Sequence, residues 1–394
     1  MSVLIAVVAD DLTGAADAGV QFVGSGYRTA VVFHGEEAPT ADVDAASFDT
    51  DSRNMPAGFA AKRVVDVARG VCGARVVYKK LDSTLRGNVA AELAAAFGAS
   101  GRLRTVVAPS FPDAGRTTVR GTQLVRGVPV DETEMREDPQ TPVLEAHVPT
   151  LLGDAFSSVG TLGVEDLADH ERVRVVLEEN ECVVADAERD SDLEALVRTV
   201  PDPARVLWAG SAGLAHAIGS VYPGPRAGEA GERRAPVSPV LVVVGSLSGV
   251  AREQVRRLVE EYGGVSVEAA GEDAVAAARV ALTRGPCAVV HSPEQKNASG
   301  EAVIGTLAGV VGRLSEERLF GGLILTGGAT AVGVARRLGA TGIKLEGEVE
   351  AGVPVGALIG PRPYPVVTKA GGFGGPDTLV GAVQALAQGR EEDP

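Results

Sequence analysis

The stretch AVVADDLTGAADAG (residues 6–19) decides how the first half of this chain folds. The apolar run VLIAVVA, which ends at Ala9, predicts a strand covered on both faces, and residues 12–22, rich in Ala and Gly, predict a helix. Asp10 and Asp11 stand between the two. Because open α/β sheets build ligand sites at the carboxyl ends of parallel strands, both carboxylates are site candidates. The alternative is that Asp11 only caps the helix.

Length and composition indicate two α/β domains. The chain has 394 residues, too many for one comfortable core, and is 45% hydrophobic but only 4% aromatic, as is typical of parallel sheets covered by helices. With 37 Lys and Arg against 52 Asp and Glu, the net charge is −15, which disfavours nucleic acid and membrane surfaces as partners. The three cysteines form no CxxC pair, and no signal peptide or membrane-spanning stretch is evident, so we expect a reduced, cytoplasmic protein.

Apolar runs alternate with helical segments along the chain, which predicts mostly parallel sheets. The runs lie at residues 28–33, 75–81, 105–108, 182–185 and 205–209 in the first half, and at 240–246, 288–291, 322–325 and 354–359 in the second. Residues 222–239, rich in Pro, Gly and charge, are the best linker candidate and place a domain boundary near residue 235. Residues 119–147 interrupt the alternation and predict a long irregular segment, which in a compact domain is usually either functional or disordered.

Three strand–glycine–helix corners mark the second half of the chain. They are VVVGSLSG (residues 242–249), LTGGAT (residues 325–330) and KAGGFGGPD (residues 369–377). Main-chain N–H groups in such turns, together with a helix N-terminus, can hold a phosphate. One corner alone would be read as an ordinary tight turn, but three in one domain predict a nucleotide site. Neither the Walker motif nor the Rossmann fingerprint is present.

Two polar turns in the first half carry mixed charges. They are FDTDSRNMP (residues 48–56) and YKKLDSTLRGN (residues 78–88). Lys and Arg can clamp a carboxylate, whereas Ser and Asp can bind hydroxyls. The alternative is a pair of solvated turns, with Asn88 acting as a helix N-cap. If both turns meet Asp10 and Asp11 at one edge of a sheet, that edge would suit a small polyhydroxylated acid.

Together these motifs resemble the four-carbon acid sugar kinase family, whose members act on threonate, erythronate or 3-oxo-tetronate. The resemblance spans nearly the whole chain and rests, in order, on VVADDLTGAADAG, DTDSR, KKLDSTLRGN, APSFPDAGRTTVRGTQLVRGVPVDETEMREDPQTPV, HVPTLL, VVVGSLSGVAREQ, LTGGATA and KAGGFGGPDTL. It implies an α/β fold of two domains, each a mostly parallel sheet flanked by helices, with the active site in the interdomain cleft. Residues 1–235 would bind the acid sugar, and residues 236–394 the nucleotide.

The resemblance further implies that ATP, with Mg²⁺, phosphorylates the terminal C4 hydroxyl of the acid. The positions that match the family's sugar-site motifs are Asp10, Asp11, Arg53, Lys80, Asp82, Ser83 and Arg86. Those that match its nucleotide-site motifs are Ser246, Gly327, Gly328, Ala329, Thr330, Gly371, Gly372 and Gly374. The resemblance assigns no metal ligands.

The resemblance leaves several points open. The chain reads DDLTGAAD where DDFTGATD is usual, and GGAT where GGET is common, so any role of that Glu in holding nucleotide or magnesium is in question. The general base is Asp82, Asp10 or Asp377, although Asp377 is equally explained as a first-turn acid favoured by the helix dipole. The alternatives to a kinase are an ATP-independent, magnesium-dependent isomerase or dehydratase, and a non-catalytic binding protein. An exposed sheet edge in either half would suit a homodimer.

Overall fold

A computed structural model describes residues 3–37, 42–228, 234–269, 273–293 and 299–389. The chain divides into two compact units, residues 1–34 with 38–227 and residues 35–37 with 228–394. Both units are α/β, so the predicted fold class is confirmed. Part of the predicted linker, residues 229–233, lies outside the described residues, and the boundary near residue 235 stays a prediction. Among the described residues, no helix is long and apolar enough to cross a membrane.

The N-terminal unit is built on parallel strands with helices between them. Its strands are β1 (Ile5–Ala9), β2 (Thr29–Val32), β3 (Ala45–Asp49), β4 (Val76–Lys80), β5 (Arg104–Ala108), β6 (Arg116–Val119), β7 (Thr122–Val125), β8 (Val128–Pro129), β9 (Val159–Leu162), β10 (Cys182–Ala185) and β11 (Val206–Gly210). Its helices are α1 (Leu12–Gly24), α2 (Ala57–Gly70), α3 (Val89–Ser100), α4 (Val148–Leu152), α5 (His170–Glu179), α6 (Asp190–Thr199) and α7 (Ala212–Val221).

Eight of these strands form the unit's parallel sheet, in the order β2-β3-β1-β4-β11-β5-β10-β9. Side chains that alternate along β1 enter two different cores: Ile5 and Val7 pack on one face of the sheet, Ala6 and Val8 on the other. Helices α1, α5, α6 and α7 cover the first face, and α2, α3 and α4 cover the second. Burial on both faces explains why these strands are continuous apolar runs.

The predicted strands of the first half are confirmed with boundary shifts of one or two residues. The runs named above do not include β3, whose sequence AASFD is too short and too polar to stand out, although all five of its residues are buried. This strand lies between β2 and β1 and carries the chain to the loop that holds Arg53. The sheet neighbours β3, β1 and β4 therefore end side by side, each followed by one of the polar turns.

The segment at residues 119–147 is not wholly irregular, which corrects that expectation. Strands β6, β7 and β8 form a small antiparallel sheet, with Arg116 paired to Val125 and Leu124 paired to Pro129. Buried Gln123 anchors it, since its Oε1 accepts a hydrogen bond from Thr118 at 2.7 Å and its Nε2 donates to the Ser83 carbonyl at 2.8 Å. Through the bond from Gln123 to Ser83, the segment holds the turn that follows β4 in place.

The C-terminal unit has a mixed sheet. Its strands are β12 (Val240–Val244), β13 (Val265–Glu268), β14 (Cys287–His291), β15 (Gly322–Thr326), β16 (Gly342–Glu350), β17 (Val353–Ile359) and β18 (Pro365–Lys369). Its helices are α8 (Gly249–Tyr262), α9 (Asp273–Arg284), α10 (Gly300–Glu316), α11 (Gly328–Arg337) and α12 (Thr378–Gln388). Strands β13-β14-β12-β15-β18 are parallel in that order, and β17 and β16 continue antiparallel. The three glycine corners follow β12, β15 and β18, which are adjacent, so all three lie at one sheet edge.

Candidate active site

The first acidic corner serves both of the roles that its sequence suggests. Asp11 is the N-cap of α1, where its Oδ1 accepts a hydrogen bond from the Gly14 N–H at 2.7 Å. Its other oxygen, Oδ2, accepts from Arg53 at 2.7 Å. Asp10 is buried at the end of β1, and its carbonyl accepts from the main-chain N–H of Ser52 at 2.8 Å. The corner is therefore fastened to the loop after β3 by both main chain and side chains.

Arg53 is the centre of the cluster. Its Nε donates to Asp10 Oδ2 at 2.8 Å and its Nη2 to Asp10 Oδ1 at 2.9 Å, a bidentate pair. The same Nη2 lies 3.6 Å from Asp82 Oδ2. Gly87, at φ +91°, passes so close that an added Cβ would meet Asp10 Oδ2 at 2.9 Å. Arg53 thus joins carboxylates that follow β1 and β4, and these carboxylates engage its Nε and both of its terminal nitrogens.

The turn after β4 forms a second ion pair. Arg86 Nη2 donates to Asp82 Oδ2 at 2.8 Å, and Arg86 Nη1 lies 3.7 Å from Asp138. The Oδ1 atom of Asp82 accepts from the Thr84 N–H at 2.8 Å and from its hydroxyl. Ser83 is half-buried, and its carbonyl is held by Gln123. The Arg86 Nε is buried without a partner among the described residues, which leaves a donor free for a ligand.

Lys80 is a second cation whose N–H groups are not all used in hydrogen bonds among the described residues. Its buried Nζ donates to the Leu81 carbonyl at 3.0 Å and lies 3.6 Å from Asp17, which is longer than a hydrogen bond. Burial raises the pKa of Asp17, and Lys80 offsets only part of that increase. Of the seven predicted sugar-site residues, Asp10, Asp11, Arg53, Asp82 and Arg86 form one contact network, while Lys80 and Ser83 flank it at the same sheet edge.

A buried network behind the cluster fixes the Arg53 loop. Lys79 Nζ lies 2.8 Å from Glu92 Oε2, and Ser52 Oγ donates to Glu92 Oε1 at 2.7 Å. Asn88 occupies the N-cap position of α3 but makes no capping bond; instead its Nδ2 donates to the Met55 carbonyl at 2.8 Å. Asn88 therefore lies at the N-cap position, as expected, but its side chain does not cap the helix. Glu92 lies on helix α3, and no local sequence pattern indicates that its side chain reaches this loop.

The two central carboxylates remain ionised at neutral pH. Burial alone would raise the pKa of Asp10, but the Arg53 charge and its hydrogen bonds outweigh burial and hold that pKa below its usual value. For Asp82, burial is outweighed by Arg86 and Arg53, and its pKa falls well below the ordinary range. Both side chains can therefore accept hydrogen bonds from substrate hydroxyls.

Asp49 is a titratable group that sequence analysis missed. It ends β3, is 2% exposed, and its Oδ1 accepts from the Asp51 N–H at 2.8 Å. Burial, with smaller contributions from Asp11, Asp51 and Asp10, raises the pKa of Asp49 to about 7. No cation pairs with it among the described residues, unlike Asp10 on the neighbouring strand. It is therefore the carboxyl of this edge that changes charge near neutrality.

In the C-terminal unit, two glycine corners are packed tightly enough to require glycine. A Cβ on Gly371 would lie 2.1 Å from Ser246 Oγ, and one on Gly245 would lie 1.9 Å from Thr330 Oγ1. Ser248 caps α8, accepting from the Ala251 N–H at 3.1 Å, and donates to the Gly371 carbonyl at 2.7 Å. The corner after β12 is thus joined to the loop after β18.

The remaining predicted nucleotide residues lie on the same sheet edge. Gly327, at φ +97°, precedes α11, which begins at Gly328; Ala329 is exposed in its first turn. Gly372 and Gly374 lie in the loop after β18. Asp377 occupies the N-cap position of α12 without a capping bond, is 68% exposed, and lies 3.7 Å from Arg257.

A cavity of about 290 Å³ opens beside Ser246 in this unit, and sequence analysis did not predict it. Val244, Val255 and Val259 give it an apolar wall. His291 and Ser292, at the end of β14, supply polar groups. Arg252 also lines it and forms no ion pair with any residue in the described part of the chain. An apolar cavity with a few polar groups, next to a glycine corner, is suited to the base and ribose of a nucleotide.

Two protein-family models match this chain, one in each half. Residues 5–218 match the family described as a sugar-binding N-terminal domain, and residues 241–379 match the one described as a nucleotide-binding C-terminal domain. Among solved structures, one from Salmonella typhimurium LT2 has a TM-score of 0.81 at 23% identity, with 96% of this chain and 98% of that chain covered. The chain therefore consists of two α/β domains, one from each of these two families.

Curated relatives of similar length indicate the family of this chain more specifically. The chain is 36% identical to a D-threonate kinase of Bordetella bronchiseptica (98% of both chains) and 33% identical to one of Salmonella typhimurium (97% and 98%). It is 31% identical to a 3-oxo-tetronate kinase of Methylobacterium radiotolerans (98% and 100%). The chain belongs to the four-carbon acid sugar kinase family, which confirms the resemblance. It is therefore a phosphotransferase with an alcohol group as acceptor.

The Asp49→Asn variant tests the electrostatics of this edge. A carboxyl whose pKa is higher in the folded than in the unfolded protein stabilises the fold at low pH, and this contribution is lost as pH rises through the folded value. Between about pH 4 and 7, Asp49→Asn should therefore gain stability relative to the parent protein by up to about 1.4 kcal/mol per pH unit. Urea unfolding at several pH values measures this, with the exposed Asp66→Asn as control. Parallel pH profiles for Asp49→Asn and the parent would contradict it.

Proposed function

We propose that this protein is an ATP-dependent kinase that phosphorylates the C4 hydroxyl of a four-carbon sugar acid, with D-threonate as the first candidate. Residues 1–235 bind the acid and residues 236–394 bind the nucleotide. The observation that carries the proposal is the clustering of Asp10, Arg53, Asp82 and Arg86 at one carboxyl edge of the sugar-binding unit. The names of the two relatives at 33% and 36% identity support D-threonate over other tetronates.

The acid's carboxylate is held by Lys80 and Arg86 rather than by all three predicted cations. Arg53 already donates to Asp10 and Asp11, so its role is to organise the cluster. Arg86 retains an unpartnered Nε, and the Lys80 ammonium has donors beyond its one carbonyl contact. A solved structure from Bordetella bronchiseptica, 34% identical with a TM-score of 0.52 and 98% of both chains covered, is a domain-swapped dimer with bound citrate. Citrate is also a hydroxy acid with carboxylates, and the dimer supports a homodimer for this chain.

The acid's hydroxyls are bound by the ionised Asp10 and Asp82, with Ser83 and Asp11 beside them. One of the first two accepts the proton of the attacking C4 hydroxyl. Their low pKa values make them weak bases. Phosphoryl transfer through a loose transition state depends mainly on positioning and charge stabilisation, so a weak base is sufficient. Which of the two acts is decided by the variants described below.

The nucleotide's phosphates are bound by main-chain N–H groups of the corners at Gly327–Gly328 and Gly371–Gly374, with Ser246 and Thr330 shaping them. The corners fit a phosphate because glycines carry no side chain that would keep it from the main-chain N–H groups, and the adjoining cavity fits the base and ribose. Mg²⁺, when bound, neutralises charge on the phosphate oxygens, and needs only one or two carboxylates because it is usually held on the substrate. Among the described residues there is no group of three acidic, His or Cys side chains that could hold a metal ion.

Product analysis tests the reaction directly. The full chain, ATP and Mg²⁺ are incubated separately with D- and L-threonate, D- and L-erythronate and 3-oxo-tetronate, and ADP is measured. We expect ADP from D-threonate, with a product whose phosphorus couples to two protons in the ³¹P NMR spectrum, because C4 carries a CH₂ group. Coupling to one proton would place the phosphate on a secondary hydroxyl and contradict C4. No ADP with any acid would contradict ATP dependence and favour an ATP-independent or non-catalytic protein.

Three Asp→Asn variants locate the general base. At least one of Asp10→Asn and Asp82→Asn should lower kcat by about 100-fold or more. Asp377→Asn should stay within about two-fold of the parent, because that carboxyl is exposed and its ion pair among the described residues is a long one, 3.7 Å to Arg257. Separate kcat and KM values distinguish loss of chemistry from loss of binding. The exposed Asp66→Asn is the control, and a large kcat loss confined to Asp377→Asn would refute the assignment.

A further inference from the structure

Lys369, the last residue of β18 and the first of the KAGGFGGPD motif, is a buried cation to which the proposal above gives no role. Its side chain is among the largest fully buried ones, with 1% of the residue exposed. Its Nζ donates to the carbonyl of the following residue, Ala370, at 2.9 Å. The ammonium therefore lies at the carboxyl end of the strand, where the loop containing Gly371, Gly372 and Gly374 begins.

The main chain of the same residue holds a second glycine corner. The N–H of Gly327 donates to the Lys369 carbonyl at 2.9 Å, and Thr326 is the ladder partner of Lys369 in the neighbouring strand β15. The Thr326 hydroxyl is fully buried and has no hydrogen-bond partner in the part of the chain that the structure describes. Lys369 thus lies where the corners after β15 and β18 meet, beside a buried hydroxyl that lacks a partner.

The Lys369 ammonium has more N–H donors than hydrogen-bond acceptors around it among the described residues. It has three N–H donors but bonds to one carbonyl, and no carboxylate lies within 4.0 Å of it among the described residues. Glu350 acts on it only at longer range and accepts from the Thr378 hydroxyl. Helix α12 carries no charged side chain, α11 carries Arg336 and Arg337 at its far end, and Asp377 is close to Arg257. Burying a cation with so few partners is costly unless an anion completes the site.

We propose that Lys369 binds the phosphate oxygens of the nucleotide and that nucleotide binding above neutral pH is coupled to uptake of a proton by this lysine. The inference rests on the proposed nucleotide-binding function and adds to it a specific residue and a linkage. The ligand chemistry is that of a nucleoside di- or triphosphate.

The direction of the linkage follows from burial. Burial lowers the pKa of Lys369 to about 8, and Glu350 offsets only part of that shift. A bound phosphate stabilises the charged form and raises the pKa again. Above pH 8 the free protein therefore holds Lys369 largely neutral, and binding must draw a proton from solution. Nucleotide affinity should fall as pH rises through about 8, approaching about ten-fold per pH unit.

Calorimetric titration of the full chain with ADP at pH 7.0 and 8.5 tests this, each pH in two buffers of different ionisation enthalpy. The ADP phosphates are fully ionised at pH 8.5 and contribute no proton change there. For the parent protein we expect about half a proton or more taken up at pH 8.5 and little at pH 7.0. Lys369→Met should bind ADP about 10- to 100-fold more weakly at pH 7.0 and show no uptake. Lys369→Arg keeps the charge and should bind at both pH values without uptake.

The control is Lys62→Met, which removes an exposed lysine from α2 and should behave as the parent. Titration with D-threonate reports whether the N-terminal unit of each variant is folded, and thermal unfolding reports on the whole chain.

If Lys369→Met does not fold, persistence of proton uptake in Lys369→Arg overturns the inference, and its loss supports it. Equal ADP affinity and equal uptake in parent and Lys369→Met overturn the inference but leave the proposed function standing. No ADP binding by the parent at either pH overturns both.

Discussion

The site of the N-terminal unit depends on one buried guanidinium, that of Arg53. Its bidentate bond to Asp10, its bond to Asp11 and its approach to Asp82 join the chain after β3 to the chain after β1 and β4. Each of these carboxylates would be costly to bury alone, and so would the cation. Their mutual neutralisation permits a charged cluster at this sheet edge, where three neighbouring strands of the parallel sheet end side by side.

In the proposed function, the two units bind an anion in different ways. In the N-terminal unit, side-chain cations with spare donors, Lys80 and Arg86, stand beside fixed carboxylates that suit hydroxyls. In the C-terminal unit, the proposed phosphate site consists of main-chain N–H groups at glycine corners, and Lys369 is the buried cation that we propose for it. The overall charge of −15 repels an anionic substrate, so both arrangements act locally against the field of the whole chain.

Much of this arrangement could be predicted from sequence because parallel strands buried on both faces leave continuous apolar runs, and polar residues directly after such runs must lie at one edge. What could not be predicted depends on contacts between distant segments. Strand β3 is short and polar, Asn88 bonds to the Met55 carbonyl instead of capping, and Gln123 reaches Ser83 from a segment that looked irregular. The burial of Asp49 and Lys369, which sets their pKa values, likewise has no local sequence signal.

Hydrogen exchange of the full chain, measured by mass spectrometry with D-threonate alone and with ADP and Mg²⁺ alone, tests the central claim most directly. The account predicts that the acid slows exchange of main-chain amides at residues 10–14, 52–55 and 82–88. It predicts that the nucleotide slows exchange at residues 245–248, 326–330 and 370–375. Protection by the acid in the second set, or by the nucleotide in the first, would contradict the assignment of the two ligands to the two units.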